Sequence, residues 1–257
     1  RRSSDLRQLA ESFAALAAQG PRLDSTAIIS QEEADRAAEA KAASALDTLA
    51  GELLAPAAAT ERMRTLAVLD AICTSARPRY TCTSTDGVTI ARLDDGGGDW
   101  FGIAQTADGV LLRAFDHESP MNIAETGAVW PGLLEGLPPA LHPWTETQEF
   151  GDDPGEPYIT LALWSTGETW QHGAPRVREG IRPEETDWVI GSVKAARTEA
   201  DIAEDFGSYY DLELTTDDIA PILAGTPLTQ AMAAQIRTDA DWDHVREVAE
   251  RAGYPIA

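Results

Sequence analysis

The chain has 257 residues, a formal net charge of -23 and a hydrophobic content of 43%. A hydrophobic content of this size, together with seven tryptophans, excludes a disordered polymer despite the charge. No apolar run approaches the ~18 residues of a membrane-spanning helix, so the sequence predicts a globular protein with a core of its own.

The acidic charge is concentrated in one part of the chain. Residues 1–92 contain 11 Lys/Arg and 12 Asp/Glu, whereas residues 93–257 contain 9 and 31. Such a surface repels nucleic acid and anionic membranes and attracts basic proteins. A second explanation is compositional: the chain has two lysines, as is typical of a GC-rich genome, and acidity is also common in salt-tolerant proteomes. This second explanation does not account for the nearly neutral first third.

The N-terminus resembles a signal sequence only in its first two residues. Arg1-Arg2 is followed by the amphipathic stretch Ser3–Gln19, which lacks the apolar segment of a secretion signal. We therefore expect a cytoplasmic protein. The chain does not start with methionine, which leaves open whether residues precede it.

The first 75 residues predict three helices. An apolar stripe with helical spacing marks the first, which Gly20-Pro21 ends. Ser30 and Glu33 have the spacing of a capping box and predict the start of an Ala-rich second helix that runs to about Leu54. A third helix is predicted from about Thr60 to Ser75. The stripe of the first helix consists of Leu6, Leu9, Ala10, Phe13, Leu16 and Ala17.

From Arg79 onward the pattern changes to short β-rich runs. Asp86-Gly87 and the other glycine-containing turns between these runs favour hairpins, because glycine accepts a positive φ without steric cost. The sequence thus predicts an antiparallel meander of about six strands. The predicted strands are Arg79–Thr83, Val88–Leu93, Asp99–Thr106, Val110–Asp116, Pro157–Ser165 and Glu168–His172.

The end of the chain returns to helical patterns, with Thr198 and Asp201 as a cap and Gly253 as a final stop. The predicted helices are Glu184–Arg197, the segment after Thr198, a short helix at Thr216, Pro227–Ile236 and Asp241–Ala252. Because the helices are segregated from the strands, the class is α+β. We predict a helical N-terminal region, residues 1–77, and an acidic α+β domain, residues 78–257.

The exit of the fourth predicted strand carries the candidate catalytic residues. Asp116, His117 and Glu118 are consecutive and are the side chains of general acid–base chemistry. Neighbouring residues on an extended chain point to alternate faces, which places Asp116 and Glu118 on one side and His117 on the other. The catalytic interpretation therefore requires the three side chains to converge in one pocket. The alternative is a polar turn before Pro120.

A loop between two strands carries the candidate metal ligands. Asp94, Asp95 and Asp99 surround three glycines, and Ca²⁺ prefers such oxygen ligands. The loop lacks the ligand order of an EF-hand, and the alternative is a plain hairpin loop. The four histidines have no paired spacing and two cysteines are too few for a zinc site, so no cofactor is expected. Whether Cys73 and Cys82 pair stays open.

A proline-rich connector carries the candidate binding residues. Trp130 and Trp144 are aromatic side chains of the kind that anchor interfaces, and the alternative is that they cover one end of the core. Asp152, Asp153 and Glu156 follow them and add negative charge to the predicted binding surface.

Three segments resemble uncharacterised α+β proteins of GC-rich actinobacteria. These are Asp94–Asp99, Gly109–Met121 and Trp130–Leu133, which together resemble a "GFDHESPM…WPG" pattern with Ala114 in place of the glycine. The resemblance covers about residues 93–190 and implies a shared α+β domain. It carries no activity. Immunity proteins against toxins also include acidic α+β domains, which is an analogy of fold alone.

Two main hypotheses of function follow. The first is a non-enzymatic, acidic binding protein of immunity or inhibitor type that covers a basic partner, such as a nuclease-like toxin. The second is a hydrolase that uses Asp116, His117 and Glu118, with a metal at Asp94, Asp95 and Asp99 as an option. A third and weaker hypothesis is a mimic of nucleic acid. The oligomeric state stays open.

Overall fold

A computed structural model of the protein describes residues 25–152, 157–183 and 198–257. These residues divide between Ala37 and Ala38 into two compact units. The predicted helix around Leu6–Ala17 and the predicted helix Glu184–Arg197 lie outside the described residues.

Two long helices precede the sheet, as the sequence predicts. Helix α1 spans Ser25–Glu52 and helix α2 spans Pro56–Cys73. Ser30 lies inside α1, so the predicted start of this helix at Ser30 was wrong. Helix α2 begins at Pro56 rather than near Thr60, because the φ of proline suits the first helical position and no N–H partner is needed there.

Five antiparallel strands form one sheet, and their order in the sheet is their order in the chain. Each strand pairs with the next, so the sheet is a meander. The α+β class is therefore confirmed. The strands are β1 Tyr80–Thr85, β2 Val88–Asp94, β3 Trp100–Thr106, β4 Gly109–Phe115 and β5 Leu161–Ser165.

The hairpin turn between β1 and β2 is the one that the sequence predicts at Asp86-Gly87. The φ angles are 52° at Asp86 and 78° at Gly87. Two successive positive φ values belong to the type I′ turn, whose twist matches that of the flanking strands. The glycine is needed because an L side chain is strained at this φ.

The predicted sixth strand, Glu168–His172, is wrong. Within this segment Gln171 pairs with Trp164 through two backbone hydrogen bonds of 2.7 and 2.8 Å, and the pairing extends no further. The chain then turns away because Gly173 packs against the backbone of the connector. A Cβ at Gly173 would lie 2.2 Å from the carbonyl oxygen of Gly132.

Both faces of the sheet are covered. On one face Phe101, Ile103 and Leu112 join the main core, to which the helices also contribute. The other face is covered by the connector between β4 and β5, where Phe150 packs on Trp100 and Leu141 packs near Trp164. The described part of the connector, residues 116–152 and 157–160, is thus a layer of the fold.

The connector and the C-terminal part hold the remaining helical elements. Thr198 accepts a hydrogen bond from the Asp201 N–H at 3.1 Å, so the predicted cap is confirmed. Gly253 ends the last helix with a φ of 70°, as the sequence predicts. The connector contains α3 Ile123–Thr126 and 3₁₀ turns at Pro139–Trp144 and Gln148–Phe150, followed in the C-terminal part by α4 Glu199–Tyr210, α5 Thr216–Leu223, α6 Gln230–Ile236 and α7 Trp242–Ala252.

The domain boundary between residues 77 and 78 stays a prediction. In the structure α2 packs against β1 and α7 and belongs to the same compact unit as the sheet. Cys73 and Cys82 are buried and unpaired. Burial raises the pKa of Cys73 to about 12 and that of Cys82 to about 11, so neither is a reactive thiolate near neutral pH.

Candidate functional site

The β3–β4 hairpin brings two of the candidate acidic residues together. Trp100 pairs with Phe115 in the last pair of the ladder. Asp99 comes directly before Trp100 and Asp116 directly after Phe115. Because antiparallel register continues one residue in each direction, the two carboxylates face each other beyond the ladder.

Asp99 holds the ring of His117. The Nδ1 atom of His117 lies 2.7 Å from Oδ1 of Asp99, and the His117 backbone N–H donates to the same oxygen at 2.9 Å. The neighbouring Gly98 has a φ of 111°, which favours glycine, and a Cβ there would be in ordinary contact with the imidazole at 3.4 Å. The hydrogen bond to Asp99 is the main cause that raises the pKa of His117 above its ordinary value.

Asp116 is the buried member of the group, with 2% of its surface exposed. Its Oδ1 accepts a hydrogen bond from the Glu118 backbone N–H at 2.8 Å, and its own N–H donates to Oγ1 of Thr160 at 3.0 Å. The side chain of Glu118 is exposed. The structure therefore brings Asp116 and His117 together with Asp99 and leaves Glu118 outside.

These three side chains form a cluster, which we call the Asp99–Asp116–His117 cluster. One ligand atom of each lies within 4.8 Å of the other two. The His117 side chain is 45% exposed and that of Asp99 is 15% exposed, so the cluster is open to solvent at the histidine and closed at Asp116. Two carboxylates and an imidazole are able to coordinate a divalent metal or to share a proton.

Asp94 and Asp95, the other candidate calcium ligands, do not join this cluster. Oδ1 of Asp94 accepts from the Gly96 N–H at 2.9 Å, and Oδ1 of Asp95 accepts from the Gly97 N–H at 2.7 Å. Oδ1 of Asp95 also accepts from the N–H of Asp99 at 3.1 Å. These carboxylates close the hairpin loop, which is the alternative that the sequence left open.

The two candidate binding tryptophans lie against the sheet. Trp130 is 1% exposed, and its indole N–H donates to the carbonyl of Arg176 at 2.7 Å. Trp144 is partly buried and packs beside Phe150 and Leu141. Trp130 therefore covers the core, whereas a partner contact through Trp144 stays a prediction.

Asp152 is an internal residue and not part of the accessible surface. Its carboxylate pairs with the guanidinium of Arg113, and the side chains of the two residues are 1% and 0% exposed. Burial lowers the pKa of Arg113 to about 10, against the opposing effect of the Asp152 charge. Asp153 and Glu156, the other two candidate acids of this segment, lie outside the described residues.

In the described C-terminal part, one stretch of exposed acids has no Lys or Arg within it, and it covers α4, α5 and the loop between them. Residues 198–236 contain eight Asp/Glu and no Lys or Arg. Seven of the eight acids are exposed, and we call their surface the acidic face. The acidic face consists of Glu199, Asp201, Glu204, Asp205, Asp211, Glu213 and Asp217.

Most of the described arginines of the acidic part form ion pairs away from this face, whereas Arg79 of the preceding part pairs with Asp205 within it. Five of them are already paired with carboxylates elsewhere in the fold, one of them in the buried pair with Asp152. The paired arginines are Arg113, Arg176, Arg237, Arg246 and Arg251.

One aromatic side chain stands out on the acidic face. Tyr209 is 53% exposed, although it is a large side chain. The guanidinium of Arg79 lies over its ring at 3.9 Å and also pairs with Asp205 at 2.6 Å. Tyr210 packs against its edge with ring centroids 4.8 Å apart. Tyr209 is therefore held in place while its outer side faces solvent.

Asp70 of α2 is buried beneath this face, and its burial leads us to expect that the stability of the protein depends on pH. Its carboxylate accepts hydrogen bonds from the hydroxyl of Tyr210 and from the N–H of Tyr80. Burial raises the pKa of Asp70 to about 6. The folded state favours the protonated Asp70 carboxyl. This group therefore stabilises the folded protein fully at pH values below the pKa that the carboxyl has in the unfolded chain, and the stabilisation is lost as the pH rises through about 6, the pKa in the folded protein.

The variant Asp70→Asn removes this titration. We expect the free energy of unfolding of Asp70→Asn, relative to wild type, to increase by about 1–2 kcal/mol between pH 5 and pH 8. Urea unfolding at both pH values measures it. The loss of one acceptor in asparagine shifts both values equally, so a difference that stays constant with pH would contradict the prediction.

Comparison with family models, with curated proteins and with solved structures gives no match to this chain. The resemblance to actinobacterial proteins stays a prediction. No described helix is long and apolar enough to cross a lipid bilayer.

Proposed function

We propose that the protein is a non-enzymatic binding protein of immunity or inhibitor type that covers a basic surface of a partner protein. The observation that carries this proposal is the acidic face, seven exposed carboxylates in a segment without Lys or Arg. A toxin that acts on nucleic acid is a partner of the required chemistry, because its substrate-binding surface must be basic.

The acidic face supports fast association. Clustered charge of one sign steers an oppositely charged partner during diffusion and raises the association rate by 10- to 10³-fold, depending on ionic strength. The same charge disfavours nucleic acid and anionic membranes as partners. The cytoplasm is the location that we propose for this encounter.

Tyr209 supports affinity. Tyrosine is enriched among the side chains that dominate interface energies, because it buries a large area with few rotatable bonds. The contacts with Arg79 and Tyr210 restrain the ring before any partner binds, which lowers the entropy lost on binding. We thus propose for Tyr209 the anchoring role that the sequence predicts for Trp130 or Trp144.

A hydrolase is the second candidate function. It is favoured by the convergence of Asp116 and His117 with Asp99. Against it, Glu118 lies outside the cluster, and the nearby Ser119 hydroxyl is buried and accepts the N–H of Met121 at 3.1 Å. A hydrolase built on the described residues of this segment would therefore have to use water, and not Ser119, as its nucleophile.

The test compares two variants with the same change in net charge. One neutralises four acids of the acidic face and the other neutralises four exposed acids elsewhere on the same compact unit. The first is Glu204→Gln, Asp211→Asn, Glu213→Gln and Asp217→Asn, and the control is Asp108→Asn, Glu168→Gln, Glu247→Gln and Glu250→Gln.

We expect immobilised wild-type and control protein to capture the same partner from extracts of the source organism, and the acidic-face variant to lose it. Quantitative mass spectrometry measures the ratio. Tyr209→Ala is expected to weaken capture at unchanged net charge. If all three variants capture the same proteins as wild type, the acidity is a compositional habit and the proposal is wrong.

A further inference from the structure

The Asp99–Asp116–His117 cluster has a feature that partner binding does not explain. Three potential ligand atoms from two separate loops meet within 4.8 Å of one another. They are two carboxylate oxygens and one imidazole nitrogen, and one of the carboxylates, Asp116, is buried. We propose that this cluster binds one divalent transition-metal ion of the Zn²⁺ type.

The ligand set favours Zn²⁺ over Ca²⁺ or Mg²⁺. Histidine nitrogen and carboxylate oxygen bind Zn²⁺ at about 2.0–2.2 Å, whereas Ca²⁺ and Mg²⁺ prefer oxygen ligands alone. Tetrahedral ligands at that length are roughly 3.4 Å apart. All three ligand atoms already lie within 4.8 Å of one another, and the hydrogen-bonded Nδ1 of His117 and Oδ1 of Asp99, now 2.7 Å apart, would separate slightly to admit the ion. Three protein ligands leave a fourth position for water or for a group of another molecule.

The fold holds the ligands before the ion arrives. Asp99 and Asp116 lie opposite each other at one end of the β3–β4 ladder, next to the Trp100–Phe115 pair, and the register of the ladder sets the distance between their backbones. The Glu118 N–H orients the carboxylate of Asp116, and Asp99 orients His117. Ligands that directly adjoin paired strands keep their geometry better than ligands in the middle of a free loop.

The charge of the cluster also suits a cation. Asp99 and Asp116 bring two carboxylates side by side, and Nδ1 of His117 lies 2.7 Å from Oδ1 of Asp99. A divalent ion would compensate the charge of both carboxylates in one place. Because the cluster lies at the sheet and the acidic face lies on α4 and α5, this site is independent of the proposed partner-binding function.

Isothermal titration calorimetry of the full chain with ZnCl₂ tests the proposal. The matched variants are His117→Ala in the cluster and His142→Ala at an exposed histidine elsewhere in the connector. We expect one strong site in wild type and in His142→Ala, and at least about 100-fold weaker binding in His117→Ala. Circular dichroism checks that each variant is folded.

Asp99→Asn is the second variant, in case His117→Ala disturbs the loop, and it is expected to weaken Zn²⁺ binding in the same way. CaCl₂ is the comparison probe, because the loss of an imidazole should leave Ca²⁺ binding unchanged. The proposal is overturned if wild type shows only several weak sites, or if folded His117→Ala and Asp99→Asn bind Zn²⁺ as wild type does.

Discussion

Replacing Asp152 with alanine is expected to lower the free energy of unfolding by about 3–5 kcal/mol, because Arg113 is then left charged and buried. Both side chains of this pair are almost completely inaccessible. The Asp152 carboxylate also accepts the N–H groups of Thr147 at 2.8 Å and Tyr158 at 3.0 Å, so its loss releases the connector as well. Urea unfolding measures the change.

The control for this prediction is an exposed ion pair. Arg237 and Asp239 are 2.9 Å apart with side chains 36% and 76% exposed. Asp239→Ala is therefore expected to cost less than about 1 kcal/mol. The double variant Arg113→Met and Asp152→Leu should recover part of the lost stability, because it leaves no buried charge but still removes the acceptor of the Thr147 and Tyr158 N–H groups. Equal effects of Asp152→Ala and Asp239→Ala would show that the pair does not organise the connector.

Gly132→Ala is the second substitution for which we expect a large effect: the free energy of unfolding should fall by about 3 kcal/mol or more. The φ of Gly132 is 81°, which disfavours any L side chain. In addition, a Cβ at this position would lie 1.9 Å from the carbonyl oxygen of Ala174, so the backbone has to move.

Gly136→Ala separates the two causes. Gly136 has a similar φ of 86°, but a Cβ there would meet its nearest neighbour, the Trp164 ring, at an ordinary distance of 3.7 Å. We expect it to cost about 1 kcal/mol from backbone conformation alone. Thermal and urea unfolding of both variants give the difference. If Gly132→Ala is no more destabilised than Gly136→Ala, the close approach at Ala174 is wrong.

The Trp-Pro-Gly segment of the connector is therefore explained by structure. Trp130 closes the core, and Gly132 allows the connector to contact the segment after β5. This contact also ends the pairing of Gln171 with Trp164, because Gly173 packs against the same backbone. The Trp-Pro-Gly motif, which lies in a candidate binding segment of the sequence, therefore has a structural role in this protein.

Local patterns were sufficient to predict most of the sheet. The alternation of side chains and the turn at Asp86-Gly87 specify hairpins without reference to the rest of the chain. The prediction of a sixth strand was wrong because the end of this segment is not determined by a local pattern. Its end depends on the contact between Gly173 and Gly132, which are far apart in the sequence, and no local pattern at Glu168–His172 reports such a contact.

The same distinction applies to the candidate site. The turn at Ala107-Asp108 sets the pairing of Thr106 with Gly109, and this register extended along the hairpin places Asp99 opposite Asp116. The proximity of Asp99 and Asp116 can therefore be predicted from the sequence. The burial of Asp152 was not, because it depends on Arg113 from a strand 39 residues away. Asp152 therefore looked like one more surface acid.

The acidic face was present in the sequence as a stretch without Lys or Arg, but it was obscured by the acidity of the whole C-terminal part. The structure adds that these acids are exposed and that Tyr209 lies among them. Net charge alone does not distinguish a docking surface from a general acidity of the organism's proteins. The position of the charges around the exposed side chain of Tyr209 supports a docking surface.

The central claim is that the acidic face docks a basic partner, and the rate of association tests it most directly. Stopped-flow mixing with the captured partner at about 20 mM and about 300 mM NaCl compares weak with strong screening. We predict that association of the wild type and of the control variant slows by roughly tenfold or more at high salt, and that the acidic-face variant is slow at both. A wild-type rate that does not change with salt, or an acidic-face variant that associates as fast as wild type, would contradict the claim.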